Sequence, residues 1–404
     1  MKKLSCVIFL LLLFCVISGC SRVTEWNCST YEDANVTEPV ISEMSVLNET
    51  LKIYDINNKD IAEIEHYGKI IYVEDFIIYS KMSNDEIDGL EYYKYNIETK
   101  ENITLGTIKD ISYQSNECVH IGNKVYFLVC TGEMSEYSNR TSKLISIDIL
   151  SNEMSEVYSE VGGFPYDTIT TAGNKIYIAK VLLEGSCLEE YNVDSKESRI
   201  LKTFTYNNNT NTGEVVRQVS SDGKTISLLI LDVTNDVVNS LRVDIYDMNM
   251  SFLKSIDLST VSNDDNELRQ GVSFFEASND YIYYENFSIT RYLGLSTNGE
   301  LNQVIETSEL FSKASETGFN KNTKLFCEMF SENNKLYLFD VTDNTLMQAD
   351  FEIEDDRYYI ISLARNAHDK ILISMYYKDP DTGETLEPRL YYFKLSDLKF
   401  ENLN

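Results

Sequence analysis

Apolar and polar residues alternate over short runs along most of the chain, and the runs come in a fixed order. One element is an alternating strand ending in an aromatic or apolar residue, then a polar turn, then a second strand. It reads YDINNKDIAEIE from Tyr54, YNIETKENITLG from Tyr95, IDILSNEMSEVY from Ile147 and YNVDSKESRILK from Tyr191. It returns as YDMNMSFLKSID from Tyr246, GLSTNGELNQVI from Gly294, FDVTDNTLMQAD from Phe339 and FKLSDLKFENLN from Phe393. Period-two alternation predicts strands, and Asn, Asp, Ser, Lys and Gly between them predict tight turns, because these residues tolerate left-handed backbone or bond their own main chain. The pattern therefore predicts a series of hairpins.

A second element stands upstream of all but the first. It is a turn followed by an alternating strand: EDFIIYSK from Glu74, GNKVYFLV from Gly122, GNKIYIAK from Gly173 and DGKTISLL from Asp222. NDYIYYEN from Asn279, NTKLFCEM from Asn322 and HDKILISM from His368 continue the series. Short apolar pieces before some of these turns (KIIYV, CVHI, TITTA) supply one more strand. Each unit then holds four antiparallel strands in roughly 45–50 residues, the pitch of a propeller blade. No long stretch of the body has a helical period. The expected fold is all-β: a β-propeller of four-stranded antiparallel blades closed into a ring. Stacking such sheets radially buries both of their faces and leaves only short edges. The hairpin from Leu51 to about Glu65 has only PVISEMSV as an upstream strand. Eight blades with the first incomplete are expected, and seven with an added hairpin is the alternative.

The start of the chain breaks this pattern. Lys2 and Lys3 precede an apolar run from Leu4 to Ile17. The run is short of the roughly 20 residues that a membrane span needs, and reads as a secretory signal. Ile17-Ser18-Gly19-Cys20 resembles the lipobox of bacterial lipoproteins. The resemblance implies that residues 1–19 are a signal peptide and that a diacylglycerol is attached to the Cys20 thiol. Cys20 would then be the mature N-terminus. At about 0.8 kcal/mol per buried methylene, two acyl chains hold where one is marginal. Residues 20–40 are polar and aperiodic and read as a solvated tether carrying the single Trp26, with the propeller over 41–404. The localisation expected is extracytoplasmic, lipid-anchored in the cell membrane.

GNKVYFLV, GNKIYIAK and NDYIYYENFSITRYLGLSTNGE also look like the YWTD-related propeller repeats of bacterial surface lipoproteins. SSDGKTISLLIL from Ser220 is similar to the repeats of TolB-type propellers. The turn of the YWTD type is reduced to TNG at Thr297 to Gly299, and the WD dipeptide of WD40 repeats is absent. These resemblances imply an architecture, not an activity, because propellers host binding, scaffolding and catalysis alike.

Charge narrows the partners. The formal net charge is −30, from 65 acidic and 35 basic residues. Such a surface repels phosphate backbones, which sets nucleic acid aside. It also keeps the body off an anionic lipid surface, so contact with the membrane runs through the anchor. Cationic ligands would be attracted.

Candidate chemistry is sparse. His66, His120 and His368 are the three histidines, without zinc-ligand spacing or HExxH. No G-x-S-x-G elbow, Walker loop or G-x-G-x-x-G loop occurs. No catalytic, metal or cofactor-binding residue is therefore assigned, and no cofactor is expected. DPDTGETLEP from Asp379 has the opening of a calcium loop without its later ligands and reads as a hairpin loop. Beyond Cys20, cysteines stand at 28, 118, 130, 187 and 327, with no C-x-x-C. Cys118 and Cys130 flank one turn out of register, so free buried thiols are expected. The expected function is non-enzymatic: a lipid-anchored binding or scaffold protein for a protein, peptide or glycan. The alternatives are a carboxylate-based polysaccharide-active enzyme and a calcium-dependent adhesin.

Overall fold

The computed structural model describes residues 49–403 except 58, 68, 84–88, 133–139, 162–167, 183–184, 208–209, 211, 236, 259–271, 287–289, 297–299, 307–315, 321–324, 330–334, 341–344, 353–357, 364–369 and 379–388. The signal, Cys20, the tether with Trp26 and Cys28, PVISEMSV, the TNG turn, His368 and DPDTGETLEP lie outside the described residues. The chain divides into two compact units. The described part of one is within Lys109–Ser312; that of the other is within Ser18–Ile108 and Lys313–Asn404.

The fold is all-β, built from successive four-stranded antiparallel meanders, the blade topology of a β-propeller. Along the chain, β1 (Glu49–Tyr54) and β2 (Asp60–Tyr67) form a hairpin. A first sheet follows, in the order β3 (Lys69–Val73), β4 (Phe76–Met82), β5 (Leu90–Asn96), β6 (Asn102–Ile108). The next holds β7 (Ile111–Ile121), β8 (Lys124–Thr131), β9 (Thr141–Asp148) and β10 (Met154–Val161). An eight-stranded sheet then joins two meanders. They are β11 (Thr168–Ala172), β12 (Lys175–Leu182), β13 (Gly185–Asn192), β14 (Glu197–Asn207) and β15 (Thr212–Ser221), β16 (Thr225–Thr234), β17 (Val237–Asp247), β18 (Phe252–Asp257). Two residue pairs link them, Tyr206 with Gly213 and Asn207 with Thr212. The approach is so close that a Cβ on Gly213, at φ 152°, would lie 2.1 Å from the Thr205 carbonyl oxygen. The last sheet of this unit is β19 (Val272–Ala277), β20 (Tyr281–Asn286), β21 (Thr290–Leu295), β22 (Leu301–Glu306).

The other unit resumes with β23 (Glu316–Asn320), β24 (Leu325–Met329), β25 (Lys335–Asp340) and β26 (Thr345–Glu352). After these come β27 (Tyr358–Leu363), β28 (Lys370–Lys378) and β29 (Arg389–Lys394), and finally β30 (Phe400–Asn402). Here two expectations fail. The hairpin at Leu51 does not begin a blade of its own. β1 runs parallel to β29, Ile53 opposite Leu390, so that β1 and β2 complete the sheet of β27–β29. The segment from Phe393 is not a hairpin either: with β1 occupying the free edge of β29, β30 pairs instead with β26.

Burial follows strand position. The second strands are almost wholly covered: β8 is buried at every position but its first, and β12 at all but its ends. A continuous apolar run such as VYFLVC suits a strand with both faces covered. The fourth strands β6 and β10 have no buried position and β18 has one, and polar or charged residues blunt these edges. The cores lie between neighbouring sheets. In the unit of β7–β22, Leu128, Leu144, Ile169 and Ile178 share one cluster, and Leu241, Ile245, Ile282 and Leu293 share another. In the other unit, Leu51, Ile53, Ile64 and Leu390 pack with Ile77 and Tyr79. Each fully buried aliphatic side chain contributes about 1.5–3 kcal/mol before entropy is counted.

Three of the turns obey one rule. Asn96, Asp148 and Asn192 each accept backbone N–H bonds on their side-chain oxygen from the residues two and three further on, at 2.8–3.1 Å. The fifth residue of each turn, Lys100, Asn152 or Lys196, is left-handed at φ 59–61°. The residue after the Asx then donates to the turn between the first and second strands of its own sheet. Ile149 N–H meets Asn123 O at 2.8 Å, and Val193 N–H meets Asn174 O at 3.0 Å. Gly122 and Gly173, at φ 61° and 62°, open those two-residue loops, where a side chain would be strained.

Truncating Ile53 to Ala, in the fully buried parallel pair, is expected to cost about 2–5 kcal/mol in chemical denaturation. A loss below about 0.5 kcal/mol would show that β1 is not docked on β29.

Candidate functional site

The unit of β7–β22 contains the densest set of titratable side chains among the described residues, and they meet at the seam between β10 and the β12–β13 pair. First strands set the seam laterally. Ile169 N–H on β11 donates to Glu117 of β7 at 3.2 Å, and Val219 N–H on β15 donates to Thr168 of β11 at 3.2 Å. Ser220 of β15 donates to Glu276 of β19 at 2.8 Å.

Lys180 on β12 is buried and forms ion pairs with Glu189 of β13, also buried, and with the half-exposed Glu160 of β10. Its ammonium also donates to the Tyr158 hydroxyl at 2.6 Å and lies 4.6 Å from the centre of that ring. The single Tyr158 proton is within reach of two carboxylates, Glu160 at 2.9 Å and Glu189 at 3.2 Å. Period two explains the geometry: Tyr158 and Glu160 share one face of β10, while Lys180 stands opposite Cys187, two residues from Glu189.

Burial alone would discharge Lys180, but the bonds from Glu160 and Glu189 outweigh it and hold the ammonium above its ordinary range. Burial likewise opposes charge on Glu160; Lys180 and Tyr158 overcome it and lower the carboxyl. Burial, chiefly, pushes the Tyr158 phenol up. Lys180 and Glu160 are thus fixed in their ionised forms beside a neutral phenol. A lysine serving as base or nucleophile needs the opposite shift.

The same arrangement recurs. Tyr93 donates to Glu91 at 2.6 Å while Lys81 sits 3.4 Å from that carboxylate. Tyr246 donates to Asp244 at 3.3 Å and accepts from Lys202, whose ammonium lies 4.6 Å from the ring centre. Asp244 is further held by Arg242 at 3.1 Å and Ser255 at 2.7 Å. Sequence reasoning did not find these clusters. Their signal is a tyrosine and an acid two positions apart on one strand, with a lysine on a neighbouring strand.

A cleft of about 350 Å³ opens on the same seam, where the Asp148 and Asn192 turns meet. Tyr126 and Tyr191 lie in its floor, and the Tyr191 ring is 6.1 Å from that of Tyr158. Lys124, Lys196, Asp148 and Glu153 form part of its rim.

The other expected candidates separate. His120 is exposed on β7, and His66 lies on β2. Cys118, Cys130 and Cys187 are free thiols. In the β7–β8 register Cys118 faces Phe127 and Cys130 faces Tyr113, so the two sulfurs are not opposed. Among the described residues, no group of three or more His, Cys, Asp or Glu could hold a metal ion.

The sequence matches no protein family and no curated protein. Among solved structures, the chain is similar to a prolyl endopeptidase at 11% identity and TM-score 0.49, covering 90% of this chain and 52% of the other. It spans about half the length of that enzyme. The β-propeller domain of the Trilobed protease from Pyrococcus furiosus is similar at 12% identity and TM-score 0.45, covering 72% of this chain and 82% of that one. An uncharacterized protein from Listeria monocytogenes is similar at 9% identity and TM-score 0.42, covering 80% and 94%.

Lys180→Met is expected to destabilise the protein by about 3–5 kcal/mol, because it leaves Glu189 buried without its cation. Lys180→Met with Glu189→Leu should regain most of that loss. The gap between wild type and the single variant should be fully present just below about pH 10.5, the ordinary lysine value, and should narrow toward acid pH as Glu189, buried without its cation in the variant, takes up a proton. Above that it should shrink as pH rises through the raised Lys180 pKa. At acid pH it should shrink further as pH falls through the lowered Glu160 pKa, more weakly because Glu160 is partly solvated. Urea midpoints across pH would check this, and a gap that widens above pH 10.5 would contradict it.

Proposed function

We propose that the protein is lipid-anchored through Cys20 at the outer face of the cell membrane. There it acts as a binding or scaffold protein for a protein, peptide or glycan partner. The anchor rests on the Ile17-Ser18-Gly19-Cys20 box behind a charged start and a short apolar run.

The observation that carries the binding role is electrostatic. Burial, chiefly, lowers Lys254, but among the described residues the carboxylates with shifted acidity, Glu91, Asp148, Glu160, Glu190 and Asp247, all move down, and the buried Lys180 moves up. Each is fixed in the charged form by hydrogen bonds or ion pairs. Acid–base catalysis asks for the reverse, a carboxyl raised toward neutrality. A rigid body whose internal charges are mutually satisfied suits recognition.

Cys20→Ala should shift the protein out of the membrane fraction or leave it unprocessed. Crosslinking on intact cells should capture a partner with the wild type and lose it with the variant. Unchanged detergent partitioning of Cys20→Ala would refute the anchor. Hydrolysis of cell-wall polysaccharide by the purified protein would refute the non-enzymatic role.

A further inference from the structure

Tension on the start of the chain enters the body through β1. In the sequence, residues 21–48 join Cys20 to that strand. β1 is an inner strand of its sheet, with β2 on one side and β29 on the other. β30, by contrast, is three residues long and lies on the edge of its sheet beside β26.

The two ladders of β1 take a pull differently. β1 and β2 are antiparallel, with Glu49 opposite Tyr67, so the start of β1 and the end of β2 lie together. A pull between them opens that ladder one pair at a time. β1 and β29 are parallel, with Lys52, Ile53 and Tyr54 opposite Arg389, Leu390 and Tyr391. The start of β1 and the end of β29 therefore lie at opposite ends of the pair. A pull between them runs along both strands and loads the three residue pairs together. Bonds that share a load resist more force than bonds broken in turn.

Side chains also block sliding. Leu51 and Ile53 are fully buried and pack with Leu390, Ile77 and Tyr79. Tyr54 stacks on Tyr391, with ring centres 5.4 Å apart. A slip of β1 by one residue would turn each side chain to the wrong face of the sheet. A slip by two toward the start of the chain would set Asp55 where Ile53 stands, burying a carboxylate among apolar groups. It would also strip Asp55 of the N–H bonds from Asn57 at 2.8 Å and Lys59 at 3.0 Å.

Resting on the anchor proposed above, we propose that β1 and β29 form a mechanical clamp, which carries tension between the lipid anchor and the body. The clamp also shields the unit within Lys109–Ser312. That unit is continuous in the chain, whereas the clamped unit is built from segments on either side of it. Tension between the two ends of the chain therefore reaches the continuous unit only after the clamp yields.

Stretching the full chain in an optical trap tests this, with handles before Met1 and after Asn404. β30 should lift from β26 first, at low force, followed by one larger rupture at the clamp. Moving the first handle to Lys59, exposed in the turn at the other end of β1, should lower the rupture force, because the pull then opens the pair from Tyr54 and Tyr391. Ile53→Ala should rupture about tenfold or more faster at a given force. Ile178→Ala, at a fully buried site of the shielded unit, should leave the rupture of the clamp unchanged although it destabilises that unit. Equal rupture forces in the two pulling geometries, or an unchanged rate in Ile53→Ala, would overturn the clamp. Unchanged detergent partitioning of Cys20→Ala, with the force curves as expected, would instead overturn the lipid anchor as the source of the load.

Discussion

Among the described strands, one pair runs parallel. Every other ladder is antiparallel, and all of them but β26 with β30 link strands consecutive in the chain, whereas β1 meets β29 across most of the chain. That pairing fills the edge that β29 would otherwise expose. It brings β2 to the outside of the same sheet and leaves β30 to cover β26 instead. Leu51 and Ile53 are buried because β1 is there, and they pack with Ile77 and Tyr79 of the following sheet. An unpaired β29 edge would be a template for association, and a buried Ile53 could not exist without its partner strand. The cost of bringing such distant segments together grows only slowly with separation, so the pairing is affordable once the apolar pair is buried.

Elsewhere the fold is local, and local structure was legible. Period-two alternation located the strands, and the Asx turns with their left-handed fifth residues fell where Asn and Asp stand in the sequence. The Gly-Asn loops before β8 and β12 were equally plain. What could not be read was the partner of a strand whose neighbour is distant. FKLSDLKFENLN carries the same signature as the true hairpins, and YDINNKDIAEIE, a true hairpin, does not show that its first strand joins β29, because that signature records only a strand, a turn and a strand. Whether the second strand stays on the first depends on which edge is already occupied, and β1 occupies that of β29.

The charged seam was illegible for a related reason. With 65 acidic residues, no carboxylate stands out along the chain. Tyr158 and Glu160 are separated by one residue, but Lys180 and Glu189 reach them from another sheet. The fold turns this abundance of acid into closed clusters in which lysine, tyrosine and carboxylate satisfy one another. Buried charge ties neighbouring sheets together, Lys180 of β12 meeting Glu160 of β10.

Hydrogen exchange followed by mass spectrometry on the native protein tests the central pairing most directly. If β1 is held by β29, amides of residues 51–54 and 389–391 should exchange together, at the slow rate set by opening of the whole body. Exchange of residues 51–54 at the rate of an unstructured peptide, with 389–391 still protected, would contradict the account.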